Sequence, residues 1–139
     1  MNVKELRIGN YLQIKNKGIC IVKGINTDNF LQCKWNESDT IVWGEPIDYF
    51  QPIPITPEIL ERCGFKYRTE NVIGTLYKPV FYTGFNYTRY SVYKVGDVFN
   101  HWYLNHEFDG RKRITSNIRY LHQLQNIIFD LTGIEIELK

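Results

Sequence analysis

The stretch YFQPIPITPEILERCGF, Tyr49 to Phe65, separates two kinds of sequence. Pro52 and Pro54 lack the backbone N–H that a sheet ladder uses, so this part is extended and belongs to an edge strand or a linker. Thr56 then offers an N-cap hydroxyl, and Pro57 suits the first helical position. Glu58 favours the positive helix end, and Gly64 supplies a left-handed stop. The spacing predicts a helix over about 57–63. A helix this short is marginal alone, so Ile59, Leu60 and Phe65 must anchor it by packing.

Upstream, NYLQIKNKGICIVKGI (Asn10 to Ile25) reads as two β-rich runs around a turn at Asn16, Lys17 and Gly18. A second turn at Asn26 to Asn29 leads into FLQCKW, and TIVW follows the polar NESD. Short strands and tight turns at this density predict a small SH3-like β barrel or curled sheet over residues 1–51.

Downstream, residues 66–108 are strand-like, with breaks at Gly74, at Thr83 to Asn86 and at Gly96–Asp97; a turn at Asp109–Gly110 precedes the basic run Arg111–Lys112–Arg113. This predicts an antiparallel sheet of three or four strands over about 66–115. A helix over about 118–132 follows, ended by Gly133; Ser116 or Asn117 offers a cap for its start, with a strand reaching as far as Arg119 as the alternative. At 100° per residue, Tyr120, Leu121, Leu124, Ile127, Ile128 and Leu131 form its apolar arc, with His122 at the border. The closing IEIEL alternates like a strand. The expected class is α+β, a barrel-like subdomain (1–51) and an α+β subdomain (52–139) forming one compact unit.

The three cysteines, Cys20, Cys33 and Cys63, are odd in number and never spaced as CxxC, which argues against a disulfide scaffold or a zinc ribbon. No window approaches the roughly 18 apolar residues that span a bilayer, and MNVKELRIGN lacks the order of a secretion signal. The expectation is a cytoplasmic protein with no membrane partner.

The charge is uneven. Residues 62–119 carry ten Lys or Arg against four acids, together with 13 of the 21 aromatics, whereas each flank is net negative. A basic, aromatic-rich centre suits planar anions, because Lys and Arg attract phosphate and rings offer stacking faces. The same composition also describes a twisted sheet rich in good strand formers. GxSxG, HExxH, a phosphate loop and GxGxxG are all absent. His101 and His106 are five residues apart on a strand and face opposite sides, which disfavours a shared metal. No cofactor is expected, and the reading favours a binder over an enzyme.

The candidate ligand-binding residues are Arg89, Tyr93, Trp102, Arg111, Lys112, Arg113, Arg119 and His122. Arg89, Ser91 and Tyr93 share one side of a strand, taken as the wet side, while Tyr90 and Val92 share the other. The basic run provides phosphate contacts near the start of the last helix. His122, with Gln125 and Asn126, forms a polar strip that either serves a ligand or satisfies buried backbone where helix meets sheet. The partner expected is an anionic ligand such as a nucleotide or single-stranded nucleic acid. A host protein, held by the barrel or a free strand edge, is the alternative, and free edges also allow a homo-oligomer.

ELRIGNYL, PIPITPEILERCGF and YLHQLQNIIFDLTGIEIEL together resemble a family of short uncharacterised proteins encoded in phages, prophages and mobile elements of Bacteroides-type gut bacteria. The resemblance touches both ends and the Pro-rich hinge, about a third of the chain, and carries no catalytic assignment. It implies an accessory protein in a bacterial cytoplasm, of the kind that sequesters components of host defence, nucleotide signals included.

Overall fold

A computed structural model describes residues 1–15, 17–26, 28, 30–35, 41–73, 76–85, 88–94, 102–107 and 111–139; the side chains of 41–44, 68–73, 76–80, 85, 88, 106–107 and 111–117 are outside that description. The chain forms two compact units, one of Met1–Ile53 with Tyr120–Ile127, the other of Pro54–Arg119 with Ile128–Lys139. The division falls between Ile53 and Pro54, and the last helix is divided between the units.

The first unit opens with a 3-10 turn, Val3–Glu5, capped by Asn2. Strands β1 (Tyr11–Ile14), β2 (Gly18–Ile25), β3 (Phe30–Trp35), β4 (Ile41–Pro46) and β5 (Phe50–Pro52) form a curled antiparallel half-barrel in the order β4-β3-β2-β1-β5. Period-two alternation turns Leu12, Ile14, Cys20, Val22, Leu31, Cys33 and Phe50 into one core with Leu6. Each large apolar side chain buried there contributes roughly 1.5–3 kcal/mol. Irregular register at Val22/Gly24 and Leu31/Cys33 adds the local bend that curls the sheet. Pro52 lies on an edge strand, opposite Leu12, where its missing N–H costs no inner ladder bond.

The second unit begins with α1, Pro57–Arg62. Thr56 Oγ1 accepts from Ile59 N at 3.2 Å, Gly64 takes φ +89°, and Leu60 is fully buried. Five strands follow: β6 (Lys66–Ile73), β7 (Leu76–Phe85), β8 (Thr88–Lys94), β9 (Trp102–Glu107) and β10 (Arg111–Ile118). They pair antiparallel in chain order, a meander, with α1 against β6 and β7. This is more strands than the three or four expected; Arg111–Arg113, inside the expected sheet range, belong to the last of them. β7 runs through Thr83–Phe85 instead of breaking there, since its pairing with β8 continues to Phe85↔Thr88. The turns expected at Gly96–Asp97 and Asp109–Gly110 lie outside the described residues.

Because β10 continues to Ile118, α2 starts only at Leu121 and runs to Thr132. Ser116 and Asn117 are strand positions, so the expected cap is replaced by Gln123, whose Oε1 accepts from Tyr120 N at 3.1 Å. Gly133, at φ +74°, ends the helix. In the tail, Ile136 and Leu138 are buried while Glu135 and Glu137 are exposed, as the alternation of IEIEL requires. It is not a strand, however; Lys139 N donates to Arg62 O at 2.9 Å.

Candidate functional site

The polar strip of α2 is a structural clamp. Gln125 Nε2 donates to Gly9 O at 3.0 Å, and Gln125 Oε1 accepts from Tyr11 N at 2.9 Å. Asn126 Nδ2 donates to Glu5 O at 2.8 Å, while its Oδ1 accepts from Asn10 Nδ2 at 2.8 Å and from Arg7 Nε at 3.1 Å. The two amides thus satisfy backbone groups of the segment leading into β1 that its bonds to Val22 of β2 leave over. The clamp also rotates the buried face of the helix. His122 and Gln125 are buried with Leu121, Leu124 and Ile128, whereas Leu131, assigned to the apolar arc, is 49% exposed.

His122 is different from its neighbours. It is 1% exposed, stacks on Tyr120 with centroids 5.9 Å apart, and neither ring nitrogen has a hydrogen-bond partner. Glu5 Oε2 stands 3.7 Å from Nε2, too far for a hydrogen bond. Burial lowers the imidazole pKa below its ordinary value, and the Glu5 carboxylate opposes that only in part. At neutral pH His122 is therefore an uncharged core ring.

The second sheet carries the arrangement best suited to a ligand. Ser91 on β8 lies opposite Tyr82 on β7 and Asn105 on β9; one step along, Tyr93 lies opposite Tyr103. The Arg89 guanidinium lies over the Tyr82 ring, 4.2 Å from its centroid. Tyr93 and Tyr103 stack at 5.4 Å with an interplanar angle of 14°. Between these larger groups, Ser91 and Asn105 form a floor that is 2% and 4% exposed. Ser91 Oγ and Asn105 Oδ1 are buried without a hydrogen-bond partner. Leaving such an atom unpaired costs about 1–3 kcal/mol, a cost that an ordered water or a guest would offset. A hydroxyl, an amide, an arginine and stacked rings on one face can hold a planar group and its negative charge.

The wet face expected at Arg89, Ser91 and Tyr93 is corrected in one respect. Ser91 and Tyr93 are as well buried as Tyr90 and Val92 on the other side, so β8 is covered on both faces. Among the described residues of this face, Arg89, Tyr82 and Tyr103 are half-exposed. In the backbone register Lys66 is aligned with Tyr82, Arg113 with Asn105, and Glu107 with both Arg89 and Arg111. The side chains of Arg111, Lys112 and Arg113 are outside the described residues.

The remaining candidates are elsewhere. Trp102 pairs with Lys94 and alternates onto the opposite face. Arg119 is exposed beyond β10, its carbonyl accepting from Ile55 N at 3.0 Å, and His122 belongs to the first unit. Tyr82, Tyr103 and Asn105 were not singled out in the sequence. The parity of WYLN already joins Tyr103 to Asn105, but only the β8–β9 register brings them to Ser91 and Tyr93. Among the described residues, no three His, Cys, Asp or Glu side chains gather as a metal site needs, and no helix is long and apolar enough to cross a membrane. The three cysteines are free and buried. No protein-family model, curated protein or solved structure matches the chain.

Proposed function

We propose that this protein is a non-enzymatic binder of an anionic, base-containing ligand, a nucleotide signal or single-stranded nucleic acid, held on the Tyr82–Arg89–Ser91–Asn105 face of the second sheet. The observation that carries the reading is the pair of buried, unpartnered atoms Ser91 Oγ and Asn105 Oδ1 beside the Arg89–Tyr82 stack. A base edge offers both donors and acceptors, which suits a hydroxyl next to an amide oxygen. The Arg89 guanidinium complements phosphate. The resemblance to phage and mobile-element proteins fits a stoichiometric role, sequestering such a ligand in a bacterial cytoplasm and so antagonising host defence.

Calorimetric titration against a panel of nucleotides and short single-stranded oligomers, at two salt concentrations, tests the reading. Arg89→Gln is expected to weaken binding about tenfold, the scale of one charge-assisted contact. Steep salt dependence identifies a polymer, because each additional phosphate contact releases counterions. No heat with any member of the panel removes the reading. Recovery of a stoichiometric host protein instead favours an interaction module.

A further inference from the structure

The other face of the second sheet carries an opening that the anion-binding reading does not use. Tyr67 of β6 is aligned with Phe81 of β7, and Lys94 of β8 with Trp102 of β9. Alternation places these four opposite the face of Tyr82, Ser91 and Asn105. Together with Pro57 and Glu61 of α1, they are the described lining of a cavity of about 460 Å³. A helix forms one wall and four neighbouring strands form the other, a common setting for a small-molecule site.

The lining excludes charge as the basis of recognition. It is mostly apolar surface, and its two charged residues have opposite signs. Glu61 is exposed and Lys94 half-exposed, so both heads keep their water, and their fields oppose one another at a distance. An ionic guest would give up its hydration for apolar walls, with no buried counter-charge among the described lining residues to replace it. An uncharged guest avoids that cost.

The walls favour a ring over an aliphatic body of the same size. Tyr67 and Phe81 have centroids 5.4 Å apart at an interplanar angle of 58°, and Phe81 meets Trp102 edge to face at 6.2 Å and 67°. Because the three rings are inclined to one another, a further ring finds faces and edges in several orientations, and such pairs contribute beyond the area they bury. Phe81 and Trp102 are 3% and 5% exposed, while Tyr67 is 56% exposed. The first two are therefore fixed by the core, and Tyr67 is the wall that can be removed without cost to it. The volume is in the lower part of the range for small-molecule sites, enough for one or two rings.

We infer that this cavity binds a free, uncharged aromatic compound of one or two rings, seated against Tyr67, Phe81 and Trp102. The site is independent of the anion-binding face.

NMR titration of the isotope-labelled full chain tests the inference, with the indole N–H signal of Trp102 as the local reporter. Indole, indole-3-acetate and tryptamine compare a neutral ring system with an anion and a cation; benzyl alcohol and cyclohexylmethanol compare a ring with its saturated counterpart. Indole is expected to shift the Trp102 signal saturably and to bind about fivefold or more tightly than either charged relative. Benzyl alcohol is expected to bind about threefold or more tightly than cyclohexylmethanol, the scale of one aromatic pair. Tyr67→Ala is expected to weaken indole about fivefold with the circular-dichroism spectrum intact. A Trp102 signal that indole leaves unmoved overturns the inference. So does a charged relative that binds as well as indole, cyclohexylmethanol matching benzyl alcohol, or indole affinity unchanged in Tyr67→Ala. A null result here leaves the nucleotide titration as it stands, since the two experiments read opposite faces.

Discussion

The two units treat buried polar atoms in opposite ways. In the first, Gln125 and Asn126 are drawn into contact with backbone and side-chain partners from Glu5 to Tyr11, and the side-chain atoms of each meet those partners at hydrogen-bond distance. In the second, Ser91 Oγ, Asn105 Oδ1 and Trp102 Nε1 are equally hidden and lack partners. Low dielectric strengthens a paired polar group and penalises an unpaired one, so the first pattern builds stability and the second leaves free energy for a guest to recover. A polar residue in a core is thus informative about function only after its bonds have been traced. Gln125 and Ser91 are alike in burial and differ in that respect alone.

The comparison breaks most visibly at Gln125. Gln125→Leu keeps the approximate volume but leaves Gly9 O and Tyr11 N without their side-chain partners in a site that is 0% exposed. The expected loss is about 3 kcal/mol, summing two orphaned backbone groups, read as a lower urea midpoint at unchanged slope. A loss below about 1 kcal/mol would show that water replaces the amide and that the clamp is not a structural element.

His122 is the exception within the first unit, and pH sharpens its position. Its pKa is lowered in the folded protein, so the unfolded chain binds the proton more readily. Stability is then complete above the ordinary histidine pKa and falls as pH drops from there toward the lowered folded value. His122→Phe keeps a ring against Tyr120 and abolishes that proton uptake. Urea midpoints at neutral and mildly acidic pH are expected to converge in the variant relative to the parent; an identical pH slope in both would assign the acid sensitivity to carboxylates instead.

Legibility in the sequence follows the range of the interaction. The helix from Pro57 was readable because Thr56, Pro57 and Gly64 act on their own neighbours, and the burial of Ile136 and Leu138 was readable from alternation alone. That Arg89, Ser91 and Tyr93 share a face was readable for the same reason. What adds Tyr82, Tyr103 and Asn105 to them is cross-strand register, which no local pattern encodes. Charge decided nothing at Arg111–Arg113, since a cationic run is silent about whether the backbone pairs, as it does in β10. The apolar arc of α2 misplaced Leu131 because hydrogen bonding by Gln125 and Asn126, rather than hydrophobic periodicity, decides how that helix is turned.

Ser91→Ala gives the smallest stability effect and the sharpest contrast with Gln125. Its hydroxyl oxygen has no partner to lose, and removing it relieves a buried polar atom of its desolvation penalty. The folded state is therefore expected to change by no more than about 0.5 kcal/mol, in the direction of greater stability. Binding of the anionic ligand is expected to weaken about fivefold in the same variant, because the guest loses the contact that the hydroxyl was held for. A substitution that spares the fold and impairs the ligand separates the two uses of buried polarity. If Ser91→Ala instead destabilises the protein by 1 kcal/mol or more, an ordered water already satisfies the hydroxyl, and the floor of that face is structural in the same sense as the clamp at Gln125.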